Sequence, residues 1–411
     1  MTNCAKDSRH RAPDWMDKSF FQTALRSGYQ DTSLQVISVN SESGATVGDN
    51  FCSNIYRVTV EVQRENAQYE KRSLIVKCQP RGGIIEELVF GADYFNTEIQ
   101  MYTRILPEMQ HILSKVSFGD ERMFCTKYIY HGTEPLQYII LEDLSFLEYT
   151  PVEGLQGLDY SHCVLVLKSL ARFHAASIAL LSNKPKLVES FYGNPYQAGR
   201  SGLEAVIKSS LRSFALEIKT WPGYETYSER LLKLLGNCFD ILVKLNNFKE
   251  GGFNVLTHGD LWINNMMFKY HEGAVVDVKF IDLQFSHVTS PAIDLHYFMH
   301  TSLSDEVHEY YFYDLLNTYH TTLIETLNLL DCRDKRITFQ QLEKELDDHG
   351  FYAVYSGIHV HPLALRDSDN LDKDFRDADG RAKSVDKLHT SPHFVKTVKR
   401  LLVKFGERGW L

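Results

Sequence analysis

The chain lacks what several protein classes require. Its seven cysteines, at 4, 52, 78, 125, 163, 238 and 332, are scattered and odd in number and include no Cys-x-x-Cys pair. That spacing excludes a disulfide framework and a thiolate zinc site, and fits free thiols in a reducing compartment. Basic charge is also short, with a formal net charge of -9 and a pI near 6.0. A nucleic-acid binder or a protein drawn to anionic membranes would show the opposite balance. Met1 to Trp15 is polar and carries no apolar run, so no secretory leader is expected there. Long uninterrupted apolar segments are missing too: Cys163 to Leu181 comes nearest, but Lys168, Arg172 and His174 mark it as an amphipathic helix. Cytoplasm is the expected location. No internal repeat or low-complexity tract stands out.

What the chain does have is the composition of a soluble globular protein, 44% hydrophobic and 24% charged. Its 411 residues exceed what one small core needs, so two lobes are expected. After a polar extension over 1–30, residues 34–39, 55–62 and 73–78 alternate or run in β-branched residues with turn formers between them, as in an antiparallel sheet. Phe95, Ile99, Tyr102 and Leu106 then recur at helical spacing until Pro107 interrupts them. Thr126–Tyr130 and Tyr138–Leu141 read as two further strands. Helical periodicity follows near 160–182, 200–218, 225–247, 305–330 and 393–405, broken mainly by a hairpin at 266–282. The expected fold class is therefore α+β, with a sheet-rich first lobe over 31–143 and a mainly helical second lobe over 144–411. Residues 366–387 are dense in charge and poor in large apolar side chains, and are expected to be a flexible insertion.

The most informative stretch is His258-Gly259-Asp260-Leu261-Trp262-Ile263-Asn264-Asn265, followed by a strand-like run ending in Ile281-Asp282-Leu283-Gln284. Phosphoryl transfer needs a carboxylate beside the attacking hydroxyl and oxygen-bearing side chains to hold a cation on the phosphates. Asp260 fits the base, and Asn265 and Asp282 fit the cation ligands, an amide oxygen and a carboxylate suiting magnesium. An Asp in a turn or at a strand end needs no such role; the order and spacing of the three carry the reading.

Lys77 lies in an apolar strand, where a charge is costly unless it meets a partner such as phosphate. Glu98 borders the apolar stripe of the next helix and could pair with it. Ser43 to Asn54, which includes Ser53, joins two strands and could offer backbone amides to phosphates, although it matches neither G-x-G-x-x-G nor the P-loop. A plain hairpin turn is the competing reading of that loop. His296 and His300 have the spacing of metal ligands but no motif around them, and His174 reads as a hydrogen-bonded core histidine. Asp294 could brace the loop from beneath or cap a helix.

The segments Val255–Asn265, Phe280–Gln284, Pro291–Leu295 and Asn54–Val58 together resemble the ecdysteroid kinase-like family, a group akin to choline and aminoglycoside kinases and abundant in insects. The resemblance runs from about residue 30 to the end, with His-Gly-Asp-Leu-Trp as its specific block. It implies a bilobal protein-kinase-like fold, ATP and Mg2+ as cofactors, and phosphorylation of a hydroxyl on a small molecule, with ecdysteroids or toxins as acceptors. By the same resemblance Asp260 is the base, Asn265 and Asp282 hold metal, and Lys77 with Glu98 orders the phosphates. Glu142 to Leu144 forms a hinge whose backbone meets adenine. Leu283 replaces an aromatic residue often found after the metal Asp, and Gln284 replaces the glycine of protein kinases, which bears on any regulatory flip of that segment.

Pro291-Ala292-Ile293 begins only nine positions after Asp282, and no Ala-Pro-Glu follows, so there is no room for a peptide platform. A small acceptor is expected. A cationic acceptor of the choline or aminoglycoside kind, and a silent nucleotide- or ligand-binding protein on the same scaffold, are the competing readings.

Overall fold

The computed structural model describes residues 12–43, 53–64, 69–79, 93–116, 124–152, 157–198, 200–364 and 389–411. The expected flexible insertion at 366–387 and most of the loop from Ser43 to Asn54 lie outside the described residues. The chain divides into two compact units, one formed by Met1–Glu86 and Cys125–Thr150, the other by Glu87–Phe124, Pro151–Asp367 and Lys373–Leu411.

In the first unit, helix α1 (Lys18–Tyr29) precedes strands β1 (Gln35–Ser43), β2 (Asn54–Gln63) and β3 (Tyr69–Cys78). Its sheet is antiparallel throughout and is completed by two strands from after Cys125, β4 (Tyr128–Gly132) and β5 (Tyr138–Glu142), giving the order β1-β2-β3-β5-β4. The helix was not expected, because 1–30 reads as a polar extension. It forms because Asp17 caps it through the Phe20 amide, and Phe21, Ala24 and Leu25 fall on one buried stripe. That stripe joins Val58, Val60, Leu74, Val76 and Ile140 in one core. Alternation along β2 puts its valines on the covered face, which fixes the register.

The second unit opens with α2 (Tyr94–Gln100) and α3 (Leu106–Ser114). The sequence expected Pro107 to end this helix. Instead Met101–Ile105 widens into a π turn just ahead of it, so the helix continues past a ring that would otherwise strike the carbonyl four residues back. The same device recurs at Ser356–Val360, ahead of Pro362.

Strands β4 (Tyr128–Gly132) and β5 (Tyr138–Glu142) return the chain to the first unit's sheet. From Pro151 onward the second unit is mostly helical. It holds α4 (Tyr160–Asn183), α5 (Arg200–Ile218), α6 (Glu225–Leu234) and α7 (Cys238–Leu245), then the hairpin β6 (Met266–His271) and β7 (Ala274–Phe280). The pattern read as one helix over 225–247 is two, interrupted around Asn237. There follow α8 (Ala292–Thr301), α9 (Asp305–Tyr310), α10 (Phe312–Leu329), α11 (Phe339–Asp348), α12 (Gly350–Tyr355) and α13 (Pro392–Arg408). The α+β class expected from the sequence is the class observed.

Helix α4 is long and apolar enough to cross a membrane by composition, but 67% of its most apolar window is buried within the protein. The cysteines at 78, 125, 163, 238 and 332 are all buried.

Candidate active site

The site is built where two short strands, Val255–Leu256 and Val288–Thr289, pair antiparallel at the base of the 257–265 loop. Beyond them Gly259 takes a φ of +82°, and a Cβ added there would sit 2.2 Å from the Phe285 carbonyl oxygen. Only glycine meets both the left-handed backbone and that close approach. The position carries Arg in many protein kinases, and its glycine here has a structural cause.

Asp294, fully buried on α8, holds this turn. Its Oδ2 accepts the His258 amide at 2.7 Å and its Oδ1 accepts the Gly259 amide at 2.8 Å. Oδ2 also accepts from His174 Nε2 at 3.0 Å, and His174 Nδ1 meets Tyr319 Oη at 2.7 Å. Burial alone would raise the Asp294 carboxyl. The hydrogen bond and charge of His174, with help from His258 and the Gly259 amide, outweigh burial and hold it below its ordinary value. Of the two readings left open for Asp294, bracing is the one observed, and His174 is the hydrogen-bonded core histidine expected.

His258 ties the loop to the second acidic segment. The Asp260 amide donates to its Nδ1 at 3.3 Å, so the ring proton sits on Nε2 and is donated to the Ile281 carbonyl at 3.0 Å. Burial pushes this imidazole below its ordinary value, which keeps it neutral and the tautomer fixed. A second tie runs from the Ile281 amide to the Asn265 carbonyl, 3.0 Å. Asp282 follows directly, buried, with a φ of +67°. Aspartate tolerates this left-handed geometry better than most residues, but still at a cost that the surrounding hydrogen bonds must hold.

Asp260 is engaged at both carboxylate oxygens. Tyr297 Oη donates to Oδ1, and Asn265 Nδ2 donates to Oδ2 at 2.9 Å and to the Asp260 carbonyl at 2.9 Å. Burial raises Asp260 to about 7. The Tyr297 and Asn265 hydrogen bonds oppose that rise, and the nearby Asp282 charge adds to it. Because the amino end of the Asn265 amide is committed, a cation would meet its carbonyl end. Asn264, by contrast, is exposed. An amide oxygen and a carboxylate, both hard donors, suit a magnesium ion. Among the described residues no three His, Cys, Asp or Glu side chains gather as metal ligands, so such an ion would complete its shell from phosphate and water.

The other candidates fall as follows. Lys77 is 5% exposed on β3, opposite Ile55 and Ile139, and Glu98 is 1% exposed on α2. They belong to different units. Ser53 lies half-buried at the start of β2. The main chain of Glu142 is already engaged, its amide donating to Lys127 O at 2.9 Å and its carbonyl accepting from Thr126 Oγ1 at 2.7 Å. Leu144 is buried and opens a short turn capped by Asp143, which also accepts from Arg57 and Ser73. His296 and His300 spend one nitrogen each on the carbonyls of Leu346 and His296.

The sequence motifs do not single out Tyr297, although its place three residues after Asp294 on a helix is a usable signal.

These features define a small-molecule phosphotransferase. Over residues 47–332 the chain matches the ecdysteroid kinase-like family, and it belongs to that family. No curated protein matches it. Among solved structures, an ethanolamine kinase from Plasmodium vivax is similar at 14% identity with a TM-score of 0.39, covering 89% of this chain and 84% of that one. The GDP complex of a mutant aminoglycoside phosphotransferase is similar at 15% identity with a TM-score of 0.37, covering 95% of this chain and 100% of that one.

Proposed function

We propose that the enzyme transfers the γ-phosphate of ATP to a hydroxyl of an ecdysteroid or a similar small alcohol, in a detoxification role. The observation that carries this reading is the held geometry at Asp260. One carboxylate, raised to about 7, has its plane fixed by Tyr297 and Asn265, and lies within electrostatic reach of a second carboxylate, Asp282. A base whose pKa lies near the working pH combines a useful ionised fraction with real proton affinity.

In this reading Asp260 orients the acceptor hydroxyl and takes its proton as the new P–O bond forms and the bond from the γ-phosphorus to the β,γ-bridging oxygen breaks, releasing ADP. Asn265, through its amide oxygen, and Asp282 would hold Mg2+. The ion, when bound, neutralises charge on the phosphates. Lys77 steadies those phosphates, and Ser53 adds a contact. With the Glu142 amide and carbonyl already engaged, adenine would meet the second lone pair of that carbonyl or the main chain of Leu144. The catalytic contribution is positioning and charge stabilisation, as expected for a loose phosphoryl-transfer transition state.

The test is to incubate the full chain with ATP, magnesium and a panel of ecdysteroids, other sterols, toxin alcohols, choline and aminoglycosides, and to look for a gain of one phosphate in mass. A phosphorylated ecdysteroid or neutral alcohol that vanishes with Asp260→Asn supports the proposal. Phosphorylation of the cationic compounds alone replaces its acceptor class, and normal turnover in Asp260→Asn removes its base.

A further inference from the structure

One turn of α8 serves the 257–265 loop twice. Asp294 takes the amides of His258 and Gly259, and three residues later Tyr297 reaches the Asp260 side chain. Residues at this spacing share a helix face, so a single rigid helix fixes both the backbone and the carboxylate of that loop. Tyr297 is itself held. It is buried in an aromatic cluster with its ring centroid 6.2 Å from that of Tyr352. Tyr352 Oη in turn meets Tyr196 Oη at 2.8 Å, and the Tyr352 and Tyr355 rings lie 5.4 Å apart. A phenol wedged in this way keeps its oxygen where Asp260 Oδ1 can use it.

We propose that Tyr297 is the positioning residue of the base: its phenol and the Asn265 amide clamp opposite oxygens of the Asp260 carboxylate and fix its plane. The proposal rests on the assignment of Asp260 as the base. Both contacts come from the protein's own side chains, one from the helix that also braces the loop backbone and one from within the loop. Burial, and then the Asp260 charge, hold the Tyr297 phenol well above an ordinary tyrosine, so it keeps the proton that it donates.

The test needs no acceptor. Proton NMR of the wild-type chain at one fixed pH should show a tyrosine hydroxyl resonance downfield of the amides that is lost in Tyr297→Phe and moves upfield in Asp260→Asn. Its absence from the wild type, or its persistence unmoved in Asp260→Asn, overturns the proposal whether or not Tyr297→Phe folds. The two readings fail separately, since full turnover in Asp260→Asn would dismiss the base whatever the resonance does. A dead Asp260→Asn with no such resonance in the wild type would dismiss Tyr297 alone.

Discussion

Asn265 donates its side-chain amide twice to Asp260, once to the main-chain oxygen and once to Oδ2, each at 2.9 Å. One residue thereby closes the loop on itself, restrains the acid and turns its own carbonyl oxygen outward as a candidate cation ligand. Asn265→Ala is expected to raise the magnesium concentration needed for half-maximal nucleotide binding by at least about tenfold, by analogy with losses at metal sites. Calorimetric titration of Mg-ATP into the two proteins checks this, and equal affinities would remove Asn265 from the cation site.

Asp260 is raised to about 7, above the ordinary 3.8 it would have unfolded. The sign follows directly. Between those values the folded chain binds a proton that the unfolded chain lacks, so the group stabilises the fold at low pH and that contribution is lost as pH rises toward 7. Asp260→Asn should therefore melt a few degrees above wild type at pH 8, with the gap closing below about pH 5. Thermal melts across pH measure this, and a lower melting temperature at pH 8 would contradict it.

Gly259→Ala should cost at least about 2 kcal/mol, because it combines a strained φ of +82° with a 2.2 Å approach to the Phe285 carbonyl. Denaturant unfolding reports the loss. Backbone shift at the loop should also lower turnover, because the Asp260 amide is tied to His258 just beyond this glycine.

Asp294→Asn replaces an acceptor of three hydrogen bonds with a group that must present donors to one of them. With the site fully buried, the loss is expected at about 3–5 kcal/mol. Denaturant midpoints check this value, and a change below about 1 kcal/mol would show that the two amides find other partners.

The second unit should also weaken in mild acid. His296, His300, His308 and His361 are buried and all held below their ordinary 6.5 chiefly by burial, His300 at about 4. Lys404 and Arg408 add positive charge near His300. Such rings stay neutral in the fold while the unfolded chain gains protons, so stability is lost progressively from about pH 6.5 down to about 4. Urea midpoints at pH 7.5 and 5 should differ, and substituting His300 by Gln should narrow the difference.

Much of this was legible in the sequence because it rests on local pattern. Alternating valines mark β2, the apolar run Leu74-Ile75-Val76 marks the second half of β3, and helical spacing marks α4 and α5 nearly to the residue. The order of Asp260, Asn265 and Asp282 gave the site its outline. What was hidden depends on partners distant in sequence. Helix α1 looks polar until a sheet covers Phe21 and Leu25, and Pro107 looks like a stop until a π turn makes room for it. The contribution of Tyr297 could be seen only once α8 had been turned against a loop 37 residues earlier.

All ten residues of α8 are buried, a helix with no wet side. Mutational scanning across Ala292–Thr301 should consequently find a solid block of intolerance with no helical rhythm to it. A change of acceptor preference by mutation would then have to arise in the walls around this spindle and leave the spindle itself untouched.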